Sequence, residues 1–129
     1  MAQLSTKIKE YAKANGVADV NFLEDVLLQN DGDGDYIKLW DIDGLNKPND
    51  VQLDAYEDKA NFNVAINNLR KERNNLLVQT DWYILPDVPL TPAEKSTMMS
   101  YRATLRNITE GLQTAEDVEA VALPGIPVL

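Results

Sequence analysis

The chain has 129 residues, enough for one ordinary domain or two very small ones. Its 21 acidic and 12 basic side chains leave a net charge of -9, which makes nucleic acid and anionic membranes poor partners. It has neither Cys nor His, so disulfides, thiolate or imidazole metal sites and the catalysis built on those groups are excluded.

The opening Met1–Lys7 lacks the apolar stretch of a signal peptide. No apolar run approaches the roughly 18 residues that span a bilayer. At 44% apolar, the composition is that of a folded chain.

Leu4, Ile8, Tyr11 and Ala12 recur at helical spacing, which predicts a helix over 5–15. Ser5 or Thr6 is its candidate cap and Gly16 its stop. Val26-Leu27-Leu28 and Tyr36-Ile37-Lys38-Leu39-Trp40 read as strands, and the Asn30–Asp35 segment between them is rich in turn formers. Together they predict a β-hairpin.

Asp43–Pro48 reads as a loop. Asn49, three residues before Gln52, has the spacing of a capping box. A single long helix is expected from there to about Val78, with a seam through Phe62, Ile66, Leu69 and Leu76 that includes Arg73. An offset stripe through Leu53, Tyr56, Ala60 and Val64 belongs to its first half.

Pro86 and Pro89 forbid regular helix in the connection 80–90. Thr91-Pro92-Ala93-Glu94 is a strong helix start, and the helix is expected to reach about Gly111. Its stripe is Met98, Tyr101, Leu105, Ile108 and Leu112, so two striped helices should pair as an antiparallel hairpin. Thr114 can cap a last turn over 115–120. Leu123–Leu129 is an apolar tail that Pro124 and Pro127 keep out of helix. The expected fold class is α+β, mostly α. A short N-terminal helix and β-hairpin occupy 1–48, and a long helix and antiparallel helical hairpin occupy 49–129.

Asp31, Asp33 and Asp35 have the look of a calcium loop, but neither frame works. With Asp31 first, Tyr36 stands where Gly is required and Ile42 where the bidentate Glu belongs. With Gln29 first, the first ligand is lost and Trp40 takes the last position. A turn is the better reading. No pair of carboxylates is marked as activated, and no phosphate-binding loop is present. No catalytic residue, metal or cofactor is therefore expected. Trp82 is expected to pack at the end of the helical hairpin, and Trp40 to lie either in the core or on an exposed hairpin face.

The stretch from Arg70 to Ile108 carries a more specific pattern. It runs Arg70-Lys71-Glu72-Arg73, then Leu76-Leu77, then Thr80-Asp81-Trp82. Asp87-Val88-Pro89-Leu90 follows, and then Tyr101-Arg102-Ala103-Thr104-Leu105-Arg106-Asn107-Ile108. This resembles the C-terminal domain of phage tail assembly chaperones. Met98 or Met99 stands where that family often carries a Trp. The resemblance implies a non-enzymatic helper that assists assembly of tail fibres, or caps them, through protein contacts. Its partner would be a tail-fibre or other tail protein, without nucleic acid or membrane, and the chain could be oligomeric within an assembly. It would work in the host cytoplasm during assembly. The alternative is a permanent component of the virion tail.

Asp81 is expected to meet Arg102 or Arg106 across the hairpin. The candidate protein-binding residues are Arg70, Arg73, Asp81, Trp82, Arg102 and Arg106 of the motif, with Tyr36 and Trp40 on the hairpin. Leu123, Ile126, Val128 and Leu129 of the tail complete the set. The tail either docks along another chain or folds back over its own helices.

Overall fold

The structure, a computed structural model, describes residues 2–129. The chain divides into two units, Met1–Asn61 and Phe62–Leu129. Asn49, where the sequence suggested a new region begins, lies inside the first.

In the first unit, helix α1 spans Leu4–Ala14. Gln3 occupies the N-cap position without a side-chain bond, so neither Ser5 nor Thr6 caps it. Its end is sharp. Gly16 takes φ 87°, and the Gly16 and Val17 amides donate back to Lys13 and Ala12 carbonyls at 3.2 and 2.8 Å. A side chain at Gly16 would strain that left-handed position.

Strands β1 (Val26–Asn30) and β2 (Asp35–Trp40) pair antiparallel. Leu27 faces Leu39 but Leu28 faces Ile37, so Lys38 is an extra residue in β2. This bulge resets the alternation of the strand. Ile37 and Trp40 both reach the core, while Tyr36 and Leu39 stay exposed. The core itself is Ile8, Tyr11, Val26 and Leu53. Tyr11 meets Trp40 at 6.1 Å and Tyr56 at 6.0 Å between ring centroids.

The expected single helix over 50–78 is in fact two. Helix α2 covers Asp50–Asp54 and helix α3 covers Glu57–Thr80. The Asn49/Gln52 capping box starts α2 as expected. Neither Gly nor Pro marks the break at Ala55 and Tyr56. The Tyr56 amide closes a tight bond to the Leu53 carbonyl at 3.0 Å, and its ring packs edge-on against Tyr11. Lys7 pairs with Asp54 at 3.3 Å and lies 4.0 Å from Glu57, joining α1 to this corner.

In the second unit, α3 is followed by a single 3-10 turn, Asp81–Ile84, and by helix α4, Pro92–Arg106. The Thr91/Glu94 capping box and Pro92 start α4 as expected. It ends at Arg106 rather than near Gly111. Asn107, Ile108 and Thr109 are all weaker helix formers, and the chain turns there with Ile108 bonded to Leu105 and Glu110 to Asn107. Helix α5 is the short capped turn Ala115–Glu119.

The antiparallel pairing of α3 and α4 holds. Arg102 reaches Leu77 near the end of α3, and Arg73, earlier in α3, reaches the Arg106 carbonyl. Met98, Tyr101 and Leu105 form one core with Leu76, Leu77 and Tyr83 around it. Ile66, Leu69 and Val118 form a second, joined by Ile108 and Leu112.

Leu105 is completely buried, whereas Met99 on the opposite side of α4 is 63% exposed. Leu105→Ala should therefore lose about 2–5 kcal/mol, and Met99→Ala should remain within about 0.5 kcal/mol. Urea unfolding of the two variants checks this contrast.

Candidate functional site

The motif residues converge at the junction between α3 and α4. Arg102 is only 5% exposed. Its Nη1 donates to the Leu77 carbonyl at 2.7 Å and to Thr80 Oγ1 at 2.8 Å. Its Nη2 donates to Asp81 Oδ1 at 2.8 Å. Thr80, fully buried, passes its own hydroxyl proton to the Leu76 and Leu77 carbonyls at 3.0 and 3.1 Å. Asp81 thus pairs with Arg102 and not with Arg106. Nε of Arg102 is buried without an acceptor among the described residues.

Trp82 does not pack into the core. It is 49% exposed and stacks on Tyr83 with ring centroids 3.8 Å apart. Tyr83, not Trp82, is the ring of this turn that packs against the Met98, Tyr101 and Leu105 core, and Trp82 lies over it from the solvent side.

Next to Trp82 the chain leaves apolar surface uncovered. Ile84 and Leu85 are half exposed, and with Tyr83 and Pro86 they form one wall of a cavity of about 420 Å³. The other wall is the face of α4 carrying Lys95, Met99, Arg102, Ala103 and Arg106. Steps of three and four put these residues on one side of the helix, away from the stripe that builds the core. Sequence reasoning found Arg102 and Arg106 but not Tyr83–Pro86, Lys95 or Met99. The available signal was this second stripe on α4.

The other candidates are scattered. Arg70 is exposed on α3. Arg73 is half buried, donating to Asn74 Oδ1 at 2.8 Å and to the Arg106 carbonyl at 3.4 Å. Trp40 is half buried with its indole N–H on the Leu45 carbonyl at 2.8 Å. In the tail, Leu123 and Ile126 fold back onto the second unit's cores, and Tyr101 donates its hydroxyl to the Pro124 carbonyl at 2.9 Å. Burial raises the Tyr101 phenol above its ordinary pKa. Val128 and Leu129 remain exposed.

The Asp31 region is a hydrogen-bonded turn. Asp31 accepts from Tyr36 Oη and Gln29 Nε2, both at 2.7 Å. The Tyr36 bond comes first and the Gln29 bond second in holding its carboxyl below the usual aspartate range. The Asn30 side chain accepts from the Gly32 amide at 2.8 Å, an Asx turn.

The second unit is thus a helical hairpin locked by a buried arginine, with an apolar, cationic cavity beside the lock. Residues 66–128 match the family model described as phage tail assembly chaperone protein. Residues 9–65 match the model described as XkdW protein. No curated protein and no solved structure matches the chain. Residues 66–128 are thus a phage tail assembly chaperone domain, which supports a role in phage tail assembly.

Two outcomes follow from the geometry. Arg102→Ala should lose about 3–5 kcal/mol, since it strips buried acceptors of their donor and opens a hole. Trp82→Ala should lose about 1 kcal/mol or less because half the ring is already in water. Thermal melts of both, read side by side, check the order.

The second outcome concerns pH. Asp31 has a depressed folded pKa, so the turn's contribution is present above the ordinary aspartate pKa and fades as pH falls through the folded value. Tyr36→Phe removes the larger cause, and the Asp31 carboxyl should then titrate at higher pH. Carboxyl carbon shifts followed by NMR against pH measure it.

Proposed function

We propose that this chain acts without catalysis, as a protein-binding factor that assists assembly of tail fibres. In this reading it works in the host cytoplasm and holds a fibre or neighbouring tail protein through contacts made by the second unit. The observation that carries the reading is the coincidence of the family match with that unit. Residues 66–128 match the chaperone model, and residues 62–129 are the unit in which the Asp81–Arg102 lock and the uncovered apolar loop occur. Exposed Trp, Ile, Leu and Met side chains grouped beside cations have the composition of a protein interface. The -9 charge disfavours nucleic acid as the alternative.

The chain co-expressed with the tail proteins of its own phage should co-purify with a fibre protein and raise that protein's soluble yield. Mass spectrometry of purified particles should find the fibre protein but not this chain. Co-purification with another tail protein only would move the role away from the fibre. Stoichiometric recovery of the chain from finished particles would make it a permanent tail component instead.

A further inference from the structure

The cavity beside the arginine lock has an unusual chemistry for this chain. Three cations line it, Lys95, Arg102 and Arg106, and no carboxylate of the described residues does. Yet the protein as a whole is acidic, with 21 acidic side chains against 12 basic. Asp81 engages Arg102, which leaves Lys95 and Arg106 as the cations at the cavity not seen in an ion pair among the described residues.

The apolar part is equally distinct. Ile84 and Leu85 come from the loop and Met99 from α4, and all three are about half exposed or more. A volume of about 420 Å³ lies within the range of small-ligand sites and accommodates a few side chains of an extended peptide. The floor is rigid, since α4 is held to α3 by the bonds of Arg102 to Leu77, Thr80 and Asp81. A rigid floor lowers the entropic cost of docking.

Resting on the tail-assembly reading above, we propose that this cavity is the docking site for a tail-protein segment in which an acidic side chain is flanked by apolar ones. The apolar side chains cover Ile84, Leu85 and Met99, and the carboxylate sits between Lys95 and Arg106. Charge complementarity selects this occupant. A basic segment meets three cations, and a neutral segment leaves two cations without a counter-charge.

The test uses the full chain and three blocked peptides, acetyl-Ala-Leu-Glu-Leu-Ala-amide and its Gln and Lys counterparts. Amide shifts in two-dimensional NMR report where each binds. The Glu peptide should give saturable shifts confined to residues 83–86 and 95–106. The Gln peptide should bind about tenfold more weakly, the equivalent of about 1.4 kcal/mol. The double variant Lys95→Glu/Arg106→Glu should reverse the order and prefer the Lys peptide. Neither side chain belongs to a buried core, and Lys95→Gln/Arg106→Gln, expected to equalise the three peptides, serves if the reversed variant does not fold.

Equal binding of the Glu and Gln peptides, shifts elsewhere, or no saturable shift overturns the proposal. So does displacement of the Glu peptide by a short oligothymidylate at lower concentration, which would make the site one for nucleic acid. The assembly reading fails separately. If the wild-type chain co-purifies with a tail protein and the charge-reversed variant does so equally well, this cavity is not the contact while the assembly role stands. If the wild type retains no tail protein, the role fails and the peptide shifts still decide what the cavity takes.

Discussion

The second unit depends on one buried guanidinium. The last carbonyls of any helix lack intrahelical donors, and α3 ends where the chain must turn. Arg102 supplies those donors from the neighbouring helix, reaching the Leu77 carbonyl directly and the Thr80 hydroxyl beside it. A cation at a helix C-terminus is also favoured by the helix dipole. Asp81 then balances the charge from the exposed side. The same side chain therefore ends α3, fixes the register of α4 and sets the floor of the cavity. Replacing it with Lys would keep the charge but lose the planar fork that serves three acceptors at once.

Much of this was legible in the sequence for local reasons. Capping boxes are short-range, and those at Asn49, Thr91 and Thr114 all form. The stripe Met98, Tyr101 and Leu105 builds a core because helical periodicity fixes which side of α4 is covered. Asp81 could be set against Arg102 or Arg106 in advance because an antiparallel hairpin brings the residues flanking its connection together, and the structure selects Arg102.

The misreadings share a different origin. The break between α2 and α3 carries no Gly or Pro and depends on where Tyr56 packs, which is a tertiary matter. The bulge at Lys38 likewise leaves no mark, yet it turns Trp40 inward and Leu39 outward, against strict alternation. Trp82 looked like a core residue by size, but the 3-10 turn gave the inward place to Tyr83. The cavity was missed because it uses the side of α4 that a core-seeking reading treats as solvent-facing. Its charge pattern becomes visible only once the loop 83–86 is set against that helix.

Exposed apolar surface in the second unit has a physical reason to persist. Its buried apolar residues are few and, Val88 apart, fall into two small clusters, one around Ile66, Leu69 and Val118 and one around Met98, Tyr101 and Leu105. The tail helps by laying Leu123 and Ile126 over them, with Tyr101 holding Pro124. A unit of this size buries a smaller fraction of its surface than a larger domain does and is marginal on its own. Trp82, Ile84, Leu85 and Met99 nevertheless remain about half exposed or more. A partner that covers them binds only the folded state, so it raises the stability of that state in proportion to how far its concentration exceeds its dissociation constant. In the docking proposed above, folding and binding would be coupled in this unit. The arginine lock orders one wall of the cavity, and a protein bound against the uncovered apolar wall would add stability that the unit lacks alone.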